Sequence, residues 1–169
     1  MFLFMQVASI FLAAVTMSLA LAHALELPGK LRLDKETYCA VQPIYYPGFT
    51  FGGAGEGLGA IAAFALLVMT PAESAAFGWT LAGCVALVVN HVTYWTVTHP
   101  VNSFWLKDQD LGKLGGGFFG FDPLKQHPGH AEDSATLWMR LRDRWEYSHV
   151  ARAILSAAGL IALTVAVAI

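Results

Sequence analysis

Four long apolar stretches, near 1–25, 49–70, 75–98 and 150–169, alternate with segments that carry almost all of the charge. A helix rises about 1.5 Å per residue and needs about 20 residues to cross the hydrocarbon of a bilayer, so each stretch is long enough to span. Threaded up and down, the ends of the first and third stretches share one surface with the starts of the second and fourth. All ten Lys and Arg, all six His, and every Asp and Glu except Glu73 fall toward that surface. With 56% hydrophobic and 13% charged residues, the chain is too apolar for a water-soluble domain of its length. The expectation is one integral membrane domain, 1–169, with an all-α fold. It is a transmembrane up-and-down four-helix bundle, with an additional interfacial helix before the fourth span.

The first segment lacks a basic start and ends in His23-Ala-Leu-Glu26-Leu-Pro rather than a small-x-small cleavage site, so it reads as a retained span. Basic residues of short loops favour the cytoplasm. The loops after the first and third spans hold nine of the ten Lys and Arg, which turns both termini outward and makes the large loops cytoplasmic. A net charge of -2 gives no sign of a nucleic-acid partner. Cys39 and Cys84 fall at different depths, so no disulfide is expected between them, and both read as structural thiols.

The outward connection, Thr70-Pro-Ala-Glu-Ser74, is a tight turn with a Pro to stop one span and polar residues to cap the next. The inward loops are longer than connection requires. In the first, Asp34 can cap a short helical turn from Lys35 to Gln42 before Pro43 and Pro47 interrupt it. In the second, the run from Leu111 to Phe121 is rich in Gly and Phe. It lacks the Lys-Ser/Thr ending of a phosphate-binding loop and is expected as a mobile lid or membrane-surface loop. From Asp133 or Ser134 the chain reads as an interfacial helix with an apolar stripe of Leu137, Trp138, Leu141 and Trp145. Its Arg140, Arg142 and Arg144 would reach lipid phosphates, and Trp105 and Trp138 would sit at the membrane interface.

Ionisable groups within spans are costly and each needs a partner, a wet cavity or an interface. His23, Glu56, His91 and His149, counted along their helices, fall at a common level in the inner half of the bilayer. His91, Trp95, Thr98 and Asn102 share one helix face, with Tyr94 and His99 beside it. Glu56 lies among Gly52, Gly53, Gly55, Gly57 and Gly59, a packing pattern that turns it inward. Glu146 and His149 form an E-x-x-H pair, and His23 and Glu26 form the reverse. Four-helix di-iron proteins use such pairs with single Glu residues. His23, Glu26, Glu56, Glu146 and His149 are therefore candidate metal ligands, for iron or another divalent metal. A hydrogen-bonded polar plug, with His23 paired to Glu56 and Glu146 to Arg152, is the competing account. Haem held by two histidines, or no cofactor, completes the alternatives. His127 and His130 read as ordinary loop residues.

The layout, the His99-Pro-Val-Asn102 segment with Phe104 and Trp105, and Arg144-Trp-Glu-Tyr-Ser-His149-Val-Ala-Arg152 resemble the anthrone oxygenase-like family of small four-helix membrane proteins. The resemblance implies oxidation of anthrones to anthraquinones with dioxygen and no bound flavin. It maps the family's functional positions onto Asn102, Trp145, His149 and Arg152, where His149 departs from the Asn usual in fungal members. A bacterial inner membrane is the implied location.

The expected function is thus a membrane oxidase or oxygenase acting on a small hydrophobic substrate of phenolic or quinone type. His91 or His149 would be the base, and Arg152 or Asn102 would stabilise the oxyanion. Tyr94, Trp95, His99 and Trp145 would hold the ring or cofactor. The alternative is a non-catalytic haem- or metal-binding electron-transfer or accessory subunit, whose glycine-rich span docks a partner membrane subunit or a second copy in a homo-oligomer. Proton or ion transport is disfavoured by the nearly featureless outer half. The lipid bilayer is the partner in every case.

Overall fold

The structure, a computed structural model, describes residues 1–106, 110–121 and 134–169. All its regular elements are helical. They are α1 (Phe2–Lys30), α2 (Lys35–Val41), a 3-10 turn (Gln42–Tyr45), α3 (Gly48–Met69), α4 (Ala75–Thr93), a π-helical turn (Tyr94–Thr98), α5 (His99–Trp105), α6 (Gly112–Gly120) and α7 (Ser134–Ala168). Four helical runs, Phe2–Lys30, Gly48–Met69, Ala75–Asn102 and Thr136–Ala168, are long and apolar enough to cross a membrane. They pack in a ring in which α1 touches α3, α3 touches α4, α4 touches α7, and α7 returns to α1. This is the expected all-α bundle.

Its interior reverses the arrangement of a soluble protein. Phe4, Val7, Phe11, Ile61, Phe64 and Val85 are exposed on the outside, while Ser9, Thr16, His23, Glu56, Asn90 and Arg152 are buried. A bilayer offers apolar side chains as good a surrounding as the core does, so outward-facing apolar residues cost nothing there. Association instead depends on close packing. A Cβ on Gly52, Gly55 or Gly59 would meet Leu19, Val15 or Leu12 of α1 at 2.9–3.4 Å. Across the ring, Gly83 lies under Leu163 and Gly159 under Leu87, a reciprocal fit that closes the α4–α7 seam.

The polar end departs from expectation in several ways. Helix α1 runs through Pro28 to Lys30, well past position 25. The interfacial helix and fourth span are one continuous helix, α7, of 35 residues. Its Trp138, Leu141 and Trp145 are buried against Tyr38, Val101 and Trp105 in a second apolar cluster rather than lying at a lipid interface. The inward loops have folded back over this stripe, so protein replaces lipid there. The Gly/Phe run is likewise a helix, α6, whose Phe119 is buried and packs edge-to-face with Tyr46. Gly112 takes φ +65 just inside its start, a conformation that glycine adopts without strain.

Other expectations stand. Asp34 caps α2 by accepting the Thr37 backbone N–H at 2.8 Å, and that bond holds its carboxyl below the usual range. Cys39 and Cys84 form no disulfide. Ser74 stands at the N-cap of α4 as expected, but its hydroxyl donates to the Pro71 carbonyl instead of capping the helix.

Candidate functional site

The single face expected across the third span is interrupted by the π-helical turn at Tyr94–Thr98. Pro100 has no N–H, so the carbonyl one turn earlier, on Thr96, loses its helical donor. Arg144 replaces it, donating from Nη2 to the Thr96 carbonyl at 2.8 Å and from Nε to the Val97 carbonyl at 3.0 Å. The expected role of Arg144 at lipid phosphates is thus corrected, because an unmet carbonyl inside the bundle is the stronger claim on a guanidinium. Arg142 pairs with Asp143 at 2.8 Å and lies over Trp138, 5.1 Å from the ring centroid.

Below the π turn is a cavity of about 410 Å³, walled by all four long helices and roofed by α6 and the 3-10 turn. His23, Glu56, His91, Asn102, His149 and Arg152 all reach its wall. The exposed Phe51 and Leu114, also in its lining, mark a mouth between α3 and α6. The convergence expected of His23, Glu56, His91 and His149 is therefore present, in two linked groups.

The first group centres on Arg152. Its guanidinium donates to Glu56 Oε1 from Nη2 and to His149 Nδ1 from Nη1, at 3.1 Å in the second case. Glu56 Oε2 lies 3.7 Å from His91 Nδ1. His91 Nε2 accepts the Trp95 indole N–H at 3.1 Å, which leaves the ring's proton on Nδ1, facing Glu56.

The second group centres on Lys30, which the sequence places in the loop after the first span. It is 5% exposed, 2.8 Å from Glu26 Oε2, 3.6 Å from Glu146 Oε1 and 3.5 Å from His23 Nδ1. Its ammonium also lies over the Tyr45 and Trp145 rings, at 4.6 and 4.7 Å from their centroids. Tyr38 donates to Glu146 at 2.8 Å, and Tyr45 to Glu26 at 2.5 Å. Burial, together with the neighbouring carboxylates, pushes both phenols well above their ordinary range. His23, Glu26 and Lys30 share one face of α1. That signal was obscured by Pro28, which invited an early end to the helix. The charges also pair in the opposite sense to the expected plug, with Glu56 to Arg152 and Glu146 to Lys30.

The ring-holding residues divide similarly. Trp145 donates from Nε1 to Asn102 Oδ1 at 2.7 Å, and the Asn102 amide also bonds the Tyr94 phenol. Tyr94 and His99 are hydrogen bonded at 3.1 Å, and His99 Nε2 lies 2.7 Å from the Phe121 carbonyl. A carbonyl only accepts, so the His99 proton is on Nε2, and Tyr94 donates to Nδ1. His127 and His130 lie outside the described residues.

The five candidate metal ligands do not meet at one point. Among the described residues, no group of three or more His, Cys, Asp and Glu is placed to hold a metal ion. The nearest donors are already turned onto cations, with Glu26 and Glu146 on Lys30 and Glu56 on Arg152. The Nδ1 atoms of His23 and His149 face the same two cations. The His23 and His149 rings lie against each other, centroids 4.1 Å apart, with no gap for a haem plane between them. As arranged, the donor set does not fit a metal or an interposed haem.

No family model, curated protein or solved structure matches the chain.

Proposed function

We propose that this chain is a membrane-embedded oxidase or oxygenase acting on a small, flat, hydrophobic phenolic or quinone-type molecule. The observation that carries the reading is the cavity itself. It has aromatic walls, lies within the apolar bundle, and holds one carboxylate, Glu56, set between Arg152 and His91. Pockets of about 300–1,000 Å³ with few, well-placed polar groups are typical small-molecule sites. The resemblance to the anthrone oxygenase-like family supports the same substrate class.

Glu56 is the proton acceptor in this reading. The Nε2 lone pair of His91 and the Nδ1 lone pair of His149 are each taken by a donor, so neither imidazole is free to act as the base without breaking a bond first. Glu56 Oε2 lies 3.7 Å from His91 Nδ1, while Oε1 takes the Arg152 N–H. Removing a phenolic or benzylic proton leaves an electron-rich anion that dioxygen oxidises. Overall, a methylene between two rings becomes a carbonyl, taking one oxygen atom, and the other leaves as water. The Asn102 amide, and Arg152 once its partner Glu56 has been neutralised by the proton it takes, stabilise the oxyanion as charge develops. The positive-inside rule supports an orientation with the cavity at the cytoplasmic end and both termini outward, and the family resemblance supports a bacterial inner membrane.

The test is oxygen uptake by purified protein in detergent supplied with anthrone or a hydroquinone, with metal content measured on the same sample. Uptake by the wild type, lost in Glu56→Gln and independent of bound metal, is the expected result. Uptake retained in full by Glu56→Gln removes the assigned base. Stoichiometric iron whose removal stops turnover would return the metal-dependent alternative.

A further inference from the structure

His23 and His149 stand side by side in the cavity wall, each only 4% exposed. A neutral imidazole has one N–H and one lone pair, and the partner of one nitrogen decides the state of the other. On His149, Nδ1 lies 3.1 Å from Arg152 Nη1. A guanidinium has only hydrogens to offer, so Nδ1 accepts and the ring proton is on Nε2. On His23, Nδ1 lies 3.5 Å from Lys30 Nζ, and an ammonium likewise only donates. Its ring proton is also on Nε2. The two cations thus set both tautomers, and two N–H donors sit on rings whose centroids are 4.1 Å apart.

His149 Nε2 is fully buried and has no hydrogen-bond partner. A buried donor left unmatched carries a desolvation penalty, which an acceptor carried by a ligand would relieve. The surroundings define that acceptor. Tyr45, Phe49 and Trp145 pack against the His23 ring at centroid distances of 4.4, 4.7 and 4.9 Å and hold it in the wall, while Trp95 and Phe118 line the open part of the cavity and suit a flat unsaturated ring. Both nearby cations are engaged, Lys30 by Glu26 and Glu146 and Arg152 by Glu56, so no counter-charge is left for an anionic ligand.

We infer that the His23–His149 pair binds the carbonyl oxygen of an uncharged ring compound, a quinone. The two lone pairs of a carbonyl oxygen match two N–H donors, and the ring would lie in the aromatic-lined cavity beside them. The inference deepens the oxidase reading and rests on it for the substrate class. It separates an oxygen-binding subsite at His23 and His149 from the proton-accepting Glu56.

The test is calorimetric titration of the full chain in detergent with three probes of one shape: 1,4-naphthoquinone, naphthalene and 1-naphthoate. Wild type is expected to bind the quinone at least about tenfold more tightly than either of the others, a difference of about 1.4 kcal/mol. His149→Phe should remove that preference and leave naphthalene binding unchanged. His149→Gln, which can still accept from Arg152 and donate to the ligand, should keep most of it. Should His149→Phe fail to fold, His23→Phe reads the same loss. Equal affinity of wild type for quinone and naphthalene, tightest binding of the naphthoate, or a preference that survives both Phe substitutions would overturn the inference. Binding is read here without turnover. A chain that prefers the quinone but consumes no oxygen with any phenol sinks the oxidase reading and leaves the subsite standing.

Discussion

The Glu56 carboxylate of α3 and the Arg152 guanidinium of α7 form a buried ion pair across the diagonal of the bundle, each residue 5% exposed. These two helices are not neighbours in the ring. The pair therefore ties opposite walls together, and through His149 and His91 it fixes the direction of the polar groups on the cavity wall.

Replacing Arg152 by Leu leaves Glu56 buried without its counter-charge, which should cost about 3–5 kcal/mol. Replacing both Glu56 and Arg152 by Leu should recover most of that loss. Denaturant unfolding of the two variants in the same micelle is the measurement. Equal destabilisation would show that the two groups are not coupled.

Arg144→Ala strips the donors from the Thr96 and Val97 carbonyls and should destabilise the chain by about 1–3 kcal/mol. The loss should be local, seen as faster hydrogen exchange in α5, with partial recovery in Arg144→Lys. Exchange unchanged from the wild type would mean that the π turn holds without Arg144.

Gly83 and Gly78 lie on the same helix and should respond with opposite sign. A Cβ at Gly83 would fall 2.7 Å from Leu163 Cγ, so Gly83→Val should cost about 1–3 kcal/mol through overpacking. Nothing lies within 4 Å of a Cβ at Gly78. Gly78→Ala should gain up to about 1 kcal/mol from helix propensity, and thermal unfolding of the two variants checks both signs.

Tyr38 and Tyr45 have phenols raised by burial and neighbouring carboxylates, so the folded chain keeps protons that the unfolded chain releases above about pH 10. Their contribution to stability is complete below that pH and declines as pH rises through it. Tyrosinate absorbance of the folded protein should therefore titrate identically in wild type and in Tyr38→Phe or Tyr45→Phe near pH 10. A smaller amplitude in either variant would show that the phenol ionises freely.

Hydropathy and charge were enough to place four helices, their up-and-down order and the crowding of polar groups at one end. A bilayer constrains those features through length and transfer energy, both of which are local sums along the chain. The same patterning put His23, Glu56, His91 and His149 at one level. It also located the Asp34 cap, where the side chain and the N–H it satisfies are close neighbours in sequence.

Partnership was decided in three dimensions. Lys30 reads as a loop cation until α1 continues through Pro28 and carries it into a box of Glu26, Glu146, Tyr45 and Trp145. Arg144 reads as a lipid anchor until Pro100, on another helix, orphans a carbonyl beside it. The tautomers of His23 and His149 depend on which cation each ring meets. Whether a cluster of His and Glu becomes a metal site or a donor-lined cavity turns on where those cations stand, because a carboxylate or lone pair engaged by Lys or Arg is withdrawn from a metal. No linear pattern encodes that choice, since the groups that compete come from α1, α3 and α7 and meet only when the ring of helices closes.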